Sequence, residues 1–92
     1  MANTKSAIKN IRKSERRRVR NQVFRSRART LVKQTRRLIV DGELEQAQST
    51  AQLAAKALDK AAQKHIIHPN NAARRKSRLM KQLNQALTEA AE

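Results

Sequence analysis

Twenty-two Lys and Arg against seven acids give this 92-residue chain a formal charge of +15, a field that repels itself in a compact state and draws in polyanions. The absence of cysteine excludes disulfides, thiolate metal sites and a cysteine nucleophile, and no stretch approaches 18 consecutive apolar residues, so no membrane span is expected. With one Gly and one Pro, the chain lacks the turn punctuation of an all-β domain.

Ala, Leu, Arg, Lys, Gln and Glu are good helix formers, and Gly42 and Pro69 are the only strong breakers. The expected fold is all-α, a single domain over residues 1–92 built as an antiparallel three-helix bundle. Helix one should cover about 6–40, helix two about 43–64 and helix three about 70–90. Fifteen residues are alanine and Phe24 is the only aromatic, so the core should be thin, with helices in close approach but little area buried.

In the first segment Phe24, Ala28, Leu31, Thr35 and Leu38 recur at steps of three and four, joined by Val32 and Ile39, and this stripe faces a core. Between Ile11 and Val19 lie seven polar residues in a row. Arg12, Arg16 and Arg20 form one ridge there, and Lys5, Lys9, Lys13 and Arg17 another. A helix over 6–40 would reach roughly 50 Å, so its basic first half should project beyond the bundle. Like charges at i, i+4 oppose helix formation, which predicts that residues 1–20 fray until phosphates neutralise them.

DGELEQ opens the second segment. Asp41 or Gly42 takes the turn, and Glu43 and Glu45 fall in the first helical turn, where the helix dipole favours carboxylates. Leu44, Ala47, Ala51, Ala54, Leu58 and Ala61 then keep a narrow apolar seam. The third segment begins either with His68 as cap and Pro69 in the first helical position, or with Asn70 as cap. Its apolar face is read as Ala72, Ala73, Leu79, Leu83, Ala86 and Ala90, with Met80 and Leu87 beside it.

Charge is distributed in blocks. Residues 1–40 carry 14 cations and one acid, 41–63 two and four, 64–81 six and none, and 82–92 none and two, giving net charges of +13, −2, +6 and −2. A solvated helix intersperses the two signs, whereas Glu15 is the sole acid of the first 40 residues. Arg outnumbers Lys in the first block, favouring a bidentate grip on phosphate. In an antiparallel bundle both blocks could hold one polyanion.

Other chemistry finds little support. His65 and His68 stand three apart, but zinc needs three or four ligands, no further His or Cys exists, and the nearest carboxylate in sequence is Asp59; no metal or cofactor is expected. Nucleophile–base pairs, clustered carboxylates and Gly-rich phosphate loops are missing, which argues against an enzyme. The basic arm lacks the apolar face of a membrane-surface helix. The amino end lacks a signal peptide's apolar core, so a cytoplasmic chain is expected. Helix-turn-helix, zinc-finger, RRM and KH signatures are also absent. What remains is recognition of backbone shape by rows of Arg, helped by Ser6, Asn21, Ser26, Asn70 and Ser77 reaching 2′-hydroxyls or phosphates. Folded RNA suits this pattern, and a histone-like DNA-compacting protein is the alternative.

Two stretches form a recognisable set. The opening ANTKSAIKNIRKSE supplies Ala2, Asn3, Lys5, Ser6, Ala7, Lys9 and Glu15, with Asn21 further on. IHPNNAARRKSRL supplies Ile67, His68, Asn70, Ala72, Ala73 and Arg74, followed by Ser77, Arg78 and Leu79. Through them the chain resembles, over essentially its whole length, the bacterial and plastid family of small-subunit ribosomal protein twenty. The resemblance implies a structural constituent of the small subunit, in the cytoplasm or a plastid. It would bind 16S-type rRNA directly and stabilise its fold during assembly, with the first helix among RNA helices and other ribosomal components nearby. No homo-oligomer is expected. His65 stands where that family commonly has Gly, so a left-handed helix end there would be strained, and Pro69 stands where it commonly has Lys.

The residues expected on rRNA are then Lys5, Lys9, Arg12, Lys13, Arg16, Arg17, Arg18, Arg20, Arg25 and Arg29 on the first helix and His68, Arg74, Arg75, Arg78 and Lys81 at the third, with the five small polar residues named above. Arg74, Arg78 and Lys81 share one face at i, i+4, i+7.

Overall fold

The computed structural model describes residues 4–91; Ala2 and Asn3 of the opening motif lie outside them. Three helices follow in order, α1 (Lys5–Val40), α2 (Leu44–Gln63) and α3 (Pro69–Ala91), and each expected boundary falls within about a residue. Thr4 caps α1, its Oγ1 accepting from the Ala7 N–H at 3.2 Å and its carbonyl from the Ile8 N–H at 3.0 Å. α1 is helical from its first turn onward, and the fraying expected of residues 1–20 in the free chain concerns the stability of that helix. The cap and the high intrinsic propensity of Ala, Arg, Lys and Glu favour the helix there, against the i, i+4 repulsion.

Both turns are six-residue closures with one residue in the left-handed region. At the first, Gly42 has φ 80°; its N–H donates to the Ile39 carbonyl at 3.2 Å and the Glu43 N–H to Leu38 at 2.9 Å. The Glu43 carbonyl then accepts from the Ala47 N–H at 2.9 Å, so Glu43 is the cap of α2, and Glu45 is the carboxylate in its first turn. At the second turn His65 takes the left-handed position with φ 61°. Its N–H donates to Ala62 at 3.0 Å and the Ile66 N–H to Ala61 at 2.9 Å. Ile66, only 6% exposed, seals this turn.

His68 settles how α3 begins. Its carbonyl accepts from the Ala72 N–H at 3.1 Å and its Nδ1 from the Asn70 N–H at 3.1 Å. Pro69 therefore occupies the first helical position, where its missing donor is harmless, and Asn70 is not the cap.

The core joins Ala28 and Val32 of α1, Ala47, Ala51, Ala54 and Leu58 of α2, and Ala72, Leu79 and Leu83 of α3. Leu58, Leu79 and Thr35 are the largest fully buried side chains. Thr35 tolerates this because its hydroxyl donates to the Leu31 carbonyl at 2.8 Å. Ala73 and Ala90 are exposed, against expectation, and Ala86 is half-buried. Ala73 follows the buried Ala72 by one step of about 100°, which turns it out of the seam. With principal extents of 67 × 22 × 17 Å, the molecule is a bundle with the first turns of α1 running past it.

Candidate nucleic-acid interface

From Lys5 to Arg20 only Ala7 is even half-buried, and every cation of this arm is exposed. Lys5, Lys9, Arg12 and Arg16 line one shallow groove with Ile8, and Lys13, Arg17 and Arg20 stand free of the bundle. Arg18 is partly committed, its guanidinium 3.1 Å from Glu15 on the exposed surface. Ser6 is exposed on the same arm.

The helix meets the bundle at Asn21, whose half-buried side chain leaves Oδ1 without a partner. One turn on, Arg25 Nη2 donates to the Ile66 carbonyl at 3.2 Å, tying α1 to the turn that precedes α3. Arg25 and Arg29 of α1 and Arg75 of α3 then stand around a cleft of about 230 Å³ floored by Ala28, Leu58, Ala61 and Ile67. A second groove of about 310 Å³ continues along α1 between Arg29, Val32, Lys33 and Arg36 on one side and Arg75 and Arg78 on the other. Arg29 and Arg75 border both. Two basic blocks separated in sequence by residues 41–63 thus converge on one trough.

Other expected residues lie around this trough. Arg74, Ser77 and Lys81 are exposed on α3, and Ser26 is exposed on α1, but none of them lines either cleft. Asn70 is exposed with its N–H spent on the His68 cap. Because His68 Nδ1 accepts that bond, Nε2 is the ring nitrogen left to donate elsewhere. Lys33 and Arg36 escaped the sequence reading, although the row Arg25, Arg29, Lys33 at steps of four, followed by Arg36, carries their signal. Arg36 Nε also donates to Gln82 Oε1 at 3.2 Å, linking α1 to α3.

Among the described residues no acid lines the trough. Asp59 is engaged by Lys76 at 3.2 Å across α2 and α3, and Asp41, Glu43 and Glu45 gather at the α1–α2 turn. The other flank of α1 differs: Phe24, Leu31, Leu53 and Ala57 form an apolar groove beside Arg27, Lys56 and Lys60. There the Lys60 and Lys64 ammonium groups sit 5.9 and 5.3 Å from the centre of the Phe24 ring. Among the described residues no three His, Cys, Asp or Glu come together as a metal site, and no helix is long and apolar enough to cross a membrane.

This arrangement can neutralise phosphates along the arm and at the mouth of the trough, with Arg on both walls offering paired donors to a single phosphate. The comparisons with known proteins identify the family. Residues 2–84 match the model of the family described as Ribosomal protein S20. A small ribosomal subunit protein bS20 from Thermomicrobium roseum is 56% identical over 84 residues, 91% of this chain and 85% of that protein. Proteins of the same name from Dehalococcoides mccartyi and Bacillus mycoides are 49% identical over 86 residues and 51% over 84, covering 98% and 99% of their lengths. Similarity at this level along nearly the whole of both chains leaves no room for a shared motif on an unrelated scaffold: the chain belongs to the ribosomal protein S20 family.

Proposed function

We propose that this ribosomal protein binds 16S-type small-subunit rRNA directly and stabilises its fold during assembly, through Arg and Lys contacts to phosphates. Membership of the family makes the chain a structural component of the ribosome and not an enzyme. The observation that carries the RNA reading is the trough: Arg25, Arg29, Arg75 and Arg78 come from two helices to one surface that no acid among the described residues lines, and the exposed ridges of Lys and Arg on the arm add a second basic surface. A duplex backbone or a junction of RNA helices presents phosphates on more than one strand, and a two-walled cationic surface with an extended arm reaches several of them at once. The 2′-hydroxyls are accessible to exposed Ser6, Ser26, Asn70 and Ser77. The partners are then rRNA and the neighbouring components of the subunit, the chain acts as a monomer, and its place is the ribosome of a cytoplasm or a plastid.

Competition between small-subunit rRNA fragments and duplex DNA at about 150 mM salt tests this, because purely electrostatic binding has weakened greatly by that concentration. Retained preference for the rRNA fragments is the expected result. Equal affinity for both would replace this reading with a DNA-compacting one.

A further inference from the structure

The cleft at the turn end of the trough holds an unresolved repulsion. Arg25 and Arg29 on α1 face Arg75 on α3, and among the described residues no carboxylate lines the space between them. A guanidinium does not lose its proton in a protein, so these charges cannot be relieved by titration. The floor of Ala28, Leu58, Ala61 and Ile67 replaces water on one side with low-dielectric atoms, which strengthens the repulsion relative to open solvent. Arg25 spends one N–H on the Ile66 carbonyl, which holds its charge in place without neutralising it. The Asp59–Lys76 pair joins α2 to α3 and lines neither groove. Among the described residues the side-chain hydrogen bond joining α1 to α3 is Arg36 to Gln82, outside this cleft.

We infer that the cleft between Arg25, Arg29 and Arg75 is the seat of one phosphodiester group of the RNA, and that its occupancy locks α3 onto α1. The inference rests on the reading of the chain as a binder of RNA phosphates. A tetrahedral oxyanion there accepts hydrogen bonds from both walls and converts the repulsion between them into two attractions to a shared centre. The fold is therefore weaker with the cleft empty than with it filled, and anything that binds the folded form alone raises its stability by mass action. The cleft couples the packing of the bundle to the presence of the RNA, separately from whatever the arm does.

Thermal melts of the full chain at low, constant ionic strength test this, with inorganic phosphate replacing chloride as the probe. The wild type is expected to gain stability saturably with phosphate. R29Q/R75Q, which neutralises two exposed side chains, should melt about 4 °C or more above wild type without phosphate and lose the phosphate response. R12Q/R16Q removes the same charge from the arm and should keep the response. A R29Q/R75Q protein with unchanged melting and an intact phosphate response overturns the seat. The source of the phosphate is decided by affinity for small-subunit rRNA, which should fall at least tenfold in R29Q/R75Q. An unchanged rRNA affinity beside a lost phosphate response would assign the cleft to a free anion and overturn the phosphodiester. Failure of the wild type to bind rRNA at all would sink the proposed function, while the phosphate melts still report on the cleft itself.

Discussion

His65 bears the conformational cost of the second turn. It sits at φ 61° in the position that Gly42 fills at the first turn, and a side chain in the left-handed region costs roughly 1–2 kcal/mol that glycine avoids. Denaturant unfolding of His65→Gly should therefore show a gain of about 1 kcal/mol, with an unchanged slope; a loss would mean that the imidazole makes a contact outweighing the strain. Leu58 has the opposite sign. Fully buried against both neighbouring helices, its truncation to alanine should cost roughly 2 to 5 kcal/mol in the same measurement and weaken RNA binding only through folding. At this scale the sequence is unevenly informative. The left-handed end at His65 was legible only as one form of the turn, since the resemblance places a glycine there but His65 makes that form costly, and the Leu58 seam because its three–four spacing runs uninterrupted. Ala73 was misplaced because alanine gives no signal of side: at a helix boundary one step of rotation decides whether a methyl packs or faces water. The choice between His68 and Asn70 as cap was equally beyond the sequence, since both types cap helices and only the Nδ1 contact decides between them.

Among the elements, α1 does two jobs with one helix. Residues 24–39 pack, while 5–20 are helical without any buried side chain. Helicity that rests on propensity and one cap is marginal for a segment of this length, and the ridges of like charge reduce it further. Amide hydrogen exchange of the free protein should accordingly be fast over residues 8–20 and slow over 28–38, and rRNA should slow the first set. Equal protection of both stretches in the free chain would show that the arm needs no phosphate to stay helical. Removing one phosphate contact there, by Arg12→Ala or Arg16→Ala, should weaken rRNA binding and flatten its logarithmic salt dependence by somewhat less than one unit each. The end of α1 and the starts of α2 and α3 were legible because Gly42 and Pro69 break the chain beside them. The Lys33–Arg36 continuation of the basic row was not read as part of the site because those residues lie among the core stripe, where cations pass for the solvated back of a packed helix.

At the scale of the whole molecule, the antiparallel bundle follows from two short turns, but the trough does not. Three helices joined up-down-up can be wound with α3 on either side of the plane of α1 and α2. Only one hand brings Arg75 and Arg78 beside Arg25 and Arg29; in the other, that flank of α3 would face α2. Spacing along a chain carries no information on that choice, so the convergence of the two basic blocks could be anticipated as possible and no more. The observed hand concentrates charge on a fold with a thin, alanine-rich core, and two opposite responses to salt follow. Screening shortens the reach of repulsion among +15 net charges, with a Debye length falling from about 30 Å at 0.01 M to about 8 Å at 0.15 M. Over that range the free protein should become more stable, seen as a rising melting temperature in sodium chloride. Its affinity for rRNA should fall steeply over the same range, because each neutralised phosphate releases counterions whose return salt favours. A melting temperature that falls with added chloride would mean that the few ion pairs, Glu15–Arg18 and Asp59–Lys76, contribute more to the fold than the self-repulsion removes. Both pairs are exposed, and exposed pairs contribute about 0–1 kcal/mol each, too little to reverse the sign against a charge excess of this size.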